Sequence, residues 1–125
     1  HLFYECNSAN VCWTSVENLM FIVIGKPVLL DLKAVIFGIP RDHDVLDKHE
    51  IDCCNLFVTY AKWTLWKHRN NVRYNNSPTI NGHDLCNQMV NECKKHVHLL
   101  KLSKHYYKIK DKTKTLLRKI LDFQV

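Results

Sequence analysis

The stretch EIDCCNLFVTYAKWTLWKHRN, residues 50–70, decides the fold. It holds neither Gly nor Pro, and it carries a helical pattern from end to end. At 3.6-residue spacing Ile51, Cys54, Val58, Ala61 and Leu65 fall on one face. Cys53, Phe57, Tyr60 and Thr64 widen that face on one side, and Leu56 and Trp63 widen it on the other. The polar remainder is a narrow stripe of Asp52, Asn55, Thr59, Lys62 and Arg69, interrupted by Trp66. A helix apolar on most sides has to be covered by neighbours. The pattern therefore predicts that the other segments wrap this helix and leave one edge to water, an edge that ends in a tryptophan between two cations.

At 125 residues, 46% hydrophobic and 24% charged, the chain reads as one small globular domain with a modest core rather than as a disordered segment. It opens on His1 with no charged and apolar leader, which suggests a fragment of something longer. The most apolar window, residues 19–30, is broken by Gly25, Lys26 and Pro27 and falls short of the roughly 18 residues of a membrane span. The expectation is a soluble intracellular chain, nuclear or cytoplasmic, with no membrane and no small-molecule substrate as partner. Six cysteines fit either three disulfides of a secreted domain or free thiols in an intracellular core. Cys53 beside Cys54 in one helix, and Cys86 and Cys93 at helical spacing in another, favour free thiols, because secreted disulfide folds are loop-rich.

Charge is distributed unevenly. Residues 94–119 hold ten Lys or Arg against one acid, Asp111, a net +9, while the remainder of the chain sums to −3. A basic arm of this kind points to a polyanion; the competing reading is a solvated helix face.

The other elements are read around the central helix. Asn7 and Ser8 are cap-type residues for an amphipathic helix over about 9–23, which Gly25 and Pro27 end. Asp31 can cap a short helical turn closed by Gly38, or Val35, Ile36 and Phe37 can form a short strand. Residues 39–48 are a charged connector whose Asp42 and Asp44 read as a solvated acidic loop, since no further carboxylates complete a metal shell. Residues 70–82 are a turn-rich joint. From His83 a long helix is expected, with Leu85, Met89, Cys93, Val97 and Leu100 on its apolar side and Lys94, His98, Lys101, His105, Lys108 and Lys112 in a second row. If that helix is continuous, it sets one cation per turn, about every 5.4 Å, along a line able to track phosphates. Tyr106 and Tyr107 either stack on bases there or pack on the central helix. Residues 111–123 form a last short amphipathic helix.

Two further groups admit two readings each. Trp66, with Lys62 four residues before and Arg69 three after, either stacks on a base or is covered by the segment that follows residue 70, and the second is favoured because exposed tryptophans are uncommon. His1 and Cys6 have metal-type spacing, yet zinc takes four ligands and two are missing, so they are either half of a site or core residues. Cys12 sits at a helical core position, and Cys93 with His96 lacks a partner pair.

HLFYEC, Trp13 seven residues after that Cys, LKAVIFG, the helix carrying AKWTLWKHRN, a polar break and a final basic helical stretch together resemble, in that order, the carboxyl-terminal region of LINE-type (non-LTR) retrotransposon reverse transcriptases. The resemblance covers most of the chain and rests on order and spacing more than on any one motif. It implies that His1 and Cys6 are the last two ligands of a zinc knuckle whose first two cysteines lie upstream, so that zinc belongs to the intact parent protein. It also implies a region that holds template RNA during target-primed reverse transcription. No aromatic-Ala-Asp-Asp sequence and no endonuclease constellation occur, so the chain by itself is not expected to be an enzyme. The expectation is thus a mainly α domain with a short irregular or β-like knuckle remnant at residues 1–8, a helical core at 9–82 and a basic helical arm at 83–125. It would bind RNA or other single-stranded nucleic acid, with the rest of the parent polyprotein as its second partner. Lys62, Trp66, Arg69, Lys94, His98, Lys101, His105, Lys108 and Lys112 are its candidate contacts. A helical scaffold buttressing the polymerase, or a degenerate element fragment, are the competing readings.

Overall fold

The computed structural model describes residues 7–123, and side chains from Ala9 onward. The proposed knuckle remnant, with His1 and Cys6, lies outside the described residues. The domain is mainly α: α1 (Asn7–Ile24), α2 (Leu32–Phe37), α3 (Lys48–Tyr74), α4 (Gly82–Lys101) and α5 (Asp111–Asp122), with a 3-10 turn at Tyr106–Lys108 and no strand among the described residues. None of these helices is long and apolar enough to cross a membrane.

Helix α3 shares the packing with α4, which meets its neighbours at least as extensively. Helices α1, α3, α4 and α5 each contact the other three, as the width of the apolar face on α3 requires. Ile51, Cys54, Phe57, Val58 and Ala61 of α3 are buried against Cys12, Val16 and Leu19 of α1, Leu85, Met89, Cys93 and Val97 of α4, and Leu116, Leu117 and Ile120 of α5 in one continuous core. The five described cysteines are all buried and all free. Burial pushes the thiols of Cys12, Cys53 and Cys93 up to about 12 and that of Cys86 to about 11, and it raises Cys54 as well; neighbouring thiols add to the effect for all but Cys86.

Polar contacts fix how α3 starts. Asp47 caps it, accepting from the backbone N–H of His49 and Glu50, while the Glu50 carboxylate accepts from the N–H of Asp47, a reciprocal capping box. Glu50 is buried, and its charge is matched by Lys26 Nζ at 2.8 Å, which also donates to the carbonyl of Val45 at 3.2 Å. A buried carboxylate with a cation and an N–H partner avoids the cost of an uncompensated charge. The same end of α3 anchors α5. Thr113 Oγ1 lies 2.8 Å from His49 Nδ1, and Lys112 pairs with Asp47.

Helix α2 is the capped helical turn rather than the strand. Asp31 accepts from the N–H of Ala34 at 2.8 Å, and the Gly38 N–H closes the turn on the carbonyl of Ala34. Asn55, placed by pattern on the solvated stripe, instead clamps the chain beyond this turn: its Oδ1 accepts from Ile39 N–H at 2.7 Å and its Nδ2 donates to the Ile39 carbonyl at 3.1 Å. Gly38 sits at φ +81°, and a Cβ there would stand 2.9 Å from Asn55 Oδ1. Retreat of Asn55 would break both bonds to Ile39. Gly38→Ala is therefore expected to cost about 1–3 kcal/mol from the backbone conformation alone, read as a lower urea midpoint with an unchanged m-value. Gly25 has the same φ but open space around it, so Gly25→Ala isolates the backbone contribution.

The expected long C-terminal helix is broken. Helix α4 stops at Lys101, where Leu102 N–H is shared between the carbonyls of His98 and Leu99 and Ser103 N–H bonds to that of Leu100. The apolar stripe of α4 has run out by then, since the next position in phase is Lys104. Turning back lets Leu116, Leu117 and Ile120 reach the faces of α3 and α4, and burying three large side chains outweighs a few more helical turns in water. Helix α3, by contrast, runs one turn beyond residue 70. It ends where Asn76, at φ 53°, adopts the left-handed conformation and the N–H groups of Asn75 and Ser77 bond to the carbonyl of Asn71.

Candidate nucleic-acid interface

The sequence places six candidate contacts in a single row, and the structure separates them. Lys94, His98 and Lys101 lie on α4, His105 and Lys108 lie in the turn after it, and Lys112 lies in α5. Lys94 is half-buried and Lys112 is turned to Asp47, so the regular line of cations does not form. What remains is a basic corner around the α4–α5 connection, where Lys101, Lys104, His105, Lys108 and Lys110 are all exposed. The two tyrosines diverge. Tyr106 packs on the core beneath Lys114 Nζ, 4.9 Å from its ring centroid, while Tyr107 is exposed with Lys108 Nζ 5.8 Å away.

The other three candidates do come together, on the outer side of α3. Because α3 continues to Tyr74, Lys62, Trp66, Arg69 and Arg73 form one row along it, and Trp63, Lys67, Asn70 and Tyr74 form the adjacent row. The turn-rich segment does not fold over Trp66, which is 42% exposed, and Trp63, read from the pattern as a flank of the core face, is 49% exposed. The chain beyond α3 comes back beside Lys67 and His68, where Ser77, Pro78 and Ile80 line a cleft, and it leaves both rings exposed. They stack on each other instead, with centroids 5.1 Å apart and planes 20° from parallel. Lys67 Nζ lies 5.5 Å from the Trp63 centroid. Lys62 Nζ reaches the carbonyl of Ile36 at 3.4 Å, and the Arg73 guanidinium lies over Tyr74 at 5.4 Å.

Trp63 is the residue that pattern reading missed. The signal available for it was charge: between Asp52 and Asp84 there is no acidic residue, while Lys62, Lys67, Arg69 and Arg73 are cationic. An aromatic inside a stretch of one sign is as well placed for a ligand as for a core.

Beside the second row, α3, the loop after it and α4 enclose a cleft of about 220 Å³ lined by Lys67, His68, Asn71, Ser77 and Gln88, with Pro78 and Ile80 on its wall. Burial lowers the pKa of His68, favouring the neutral imidazole, which both donates and accepts. The Asn71 amide oxygen accepts from Asn75 Nδ2 at 3.0 Å. Between α3 and α4 the Tyr60 hydroxyl and His96 Nδ1 are 2.9 Å apart, an internal contact that holds the two helices together. Asp42 and Asp44 are exposed in the connector, and among the described residues no group of three or more His, Cys, Asp or Glu could hold a metal ion.

The fold and this surface define a basic, mainly α domain with an exposed aromatic and cationic helix face. No family, no curated protein and no solved structure matches the chain.

Proposed function

We propose that this chain is a non-catalytic nucleic-acid-binding domain, the carboxyl-terminal region of a non-LTR retrotransposon reverse transcriptase, which binds template RNA or other single-stranded nucleic acid during target-primed reverse transcription. The observation that carries the binding reading is the net +9 over residues 94–119, which the fold gathers around α4, the α4–α5 connection and α5 with most of its cations exposed. Phosphate neutralisation by such a surface releases counterions and supplies affinity without regard to sequence. Zinc, in this reading, belongs to the intact parent, where His1 and Cys6 join two upstream cysteines.

The test is a titration of the chain against short single-stranded RNA and duplex DNA at several salt concentrations. Lys101, Lys104 and Lys108 are exposed and carry no core contact, so their joint replacement by Glu leaves the fold intact. The triple variant is expected to bind RNA more weakly, with the slope of log affinity against log salt reduced by about 2, the share of three phosphate contacts on a single strand. Weak binding of both nucleic acids with a flat salt dependence, unchanged in the variant, would refute the proposal and favour a helical scaffold.

A further inference from the structure

The outer face of α3 combines groups that the basic corner lacks. Trp66 stands within the cation row of Lys62, Arg69 and Arg73, its ring stacked on Trp63 of the adjacent row, and beside Lys67 of that second row lies the cleft that contains Asn71, Ser77 and Gln88. A nucleotide offers a group for each: an anionic phosphate, a planar base, and hydrogen-bonding groups on the base edge. From this correspondence we infer that the Trp63–Trp66 pair is a stacking site for an unpaired base of single-stranded nucleic acid, with phosphates on the cation row and the base edge turned toward the cleft. The inference rests on the nucleic-acid reading above and gives it a second, base-dependent site.

The physical case has three parts. First, two tryptophans about half exposed in a domain that has buried its third, Trp13, leave a large apolar area in water that a flat ligand would cover. Second, the platform is preorganised. Trp66 is backed by Trp63, and Trp63 is held by Lys67 from the next turn, so binding a base costs little further side-chain freedom. Trp66, in the cation row, is the contact residue, and Trp63 is its positioning residue. Third, the surroundings select the charge of the ligand. With no carboxylate from Asp52 to Asp84 and four cations on the face, an anionic ligand is attracted and a cationic peptide is repelled. A base already paired and stacked within a duplex cannot offer its face to the ridge, so the site selects single strands.

The experiment compares one short RNA with its DNA counterpart, with its duplex and with an abasic strand of the same length, all at one salt concentration. Binding and tryptophan fluorescence are measured for the chain and for Trp66→Ala and Trp63→Ala. Trp13 is buried, so the fluorescence change reports the exposed pair. Single-stranded RNA is expected to quench the emission, and Trp66→Ala to weaken its binding about 5- to 100-fold, the value of one stacked base, while the salt slope stays the same because no charge is removed. Trp63→Ala is expected to lose less, and Trp63→Phe to restore most of that loss by keeping a ring behind Trp66. The abasic strand should bind the unaltered chain as weakly as RNA binds Trp66→Ala, an arm that requires no substitution. The RNA and DNA strands report whether the ribose 2′-hydroxyl contributes; equal affinities place the recognition in base and phosphate. Should the abasic strand bind as tightly as RNA, or Trp66→Ala bind RNA unchanged, the stacking site is refuted while the basic-corner proposal stands. Should the chain bind no strand at any salt concentration, both are refuted.

Discussion

Phe57→Ala is expected to remove a large share of the stability of the domain. Phe57 is fully buried in the first half of α3, within the one core cluster to which α1, α3, α4 and α5 all contribute. Truncating a buried phenylalanine costs about 3–5 kcal/mol, from lost transfer energy and from the cavity left by neighbours that relax only in part. A domain of this size has about 5–15 kcal/mol in total. The urea midpoint of the variant, followed by far-ultraviolet circular dichroism, should therefore fall by roughly a third to a half. Leu102→Ala is the control. Leu102 is 83% exposed just past the end of α4, and its truncation should move the midpoint by no more than about 0.5 kcal/mol. Comparable losses for the two would mean that Phe57 does not stand in the core.

Alkaline pH should unfold the chain through its buried thiols. The thiols of Cys12, Cys53, Cys54, Cys86 and Cys93 ionise near 9.0 in the unfolded chain, and burial raises each of them in the fold, four to about 11 or 12. For an acid whose folded pKa lies above its unfolded value, the folded state holds the extra proton. Stability is therefore whole below pH 9 and is lost as the pH climbs toward the folded values. Each thiol contributes a slope of up to about 1.4 kcal/mol per pH unit. Five of them together reach the size of the whole stability of a domain within one or two pH units. Urea midpoints measured at intervals from neutral pH upward should be level to about pH 8.5 and then drop steeply. Cys54→Ala should make the drop shallower by one thiol's share. A midpoint constant to pH 10.5 would show that the thiols ionise without unfolding. The same burial keeps these cysteines from reacting with alkylating reagents until denaturant is added, a residue-by-residue readout by mass spectrometry.

Both predictions start from features visible in the primary structure, and the way they became visible shows where pattern reading works. Apolar periodicity located α1, α3, α4 and α5 because each of those helices buries a stripe, and burial selects residue type turn by turn. Asp31 and Gly38 marked α2 because caps are local chemistry, settled by a few neighbouring atoms. Asp47 and Glu50 have the capping-box spacing, yet the burial of Glu50 depends on Lys26, 24 residues away. Periodicity contains nothing about such a pairing. Asn55 likewise looks like a solvent-edge residue until the loop after α2 is laid across it.

The candidate interface divides in the same manner. The charge of residues 94–119 is a property of the sequence alone, and so is the run from Asp52 to Asp84 without an acid. How those cations are displayed is not. A row from Lys94 to Lys112 exists only if one helix carries all of them, and the decision to end α4 at Lys101 was made by Leu116, Leu117 and Ile120, which gain a buried face only when the chain turns back. Lys112 then meets Asp47, and the row becomes a corner. At Trp63 and Trp66 the reverse happened. Their type and position suit a covered surface, and they stay in water because the segment after Tyr74 comes to lie beside Lys67 and His68 and leaves both rings exposed. Sequence by itself determined the core-facing stripes of α1, α3, α4 and α5 and the balance of charge, while it left α2 open between a capped turn and a strand and took Asn7 and Ser8 as caps where α1 already includes them. The tertiary structure alone decided which polar groups are paired, which cations share a surface and which tryptophans meet, because each depends on where distant segments cross.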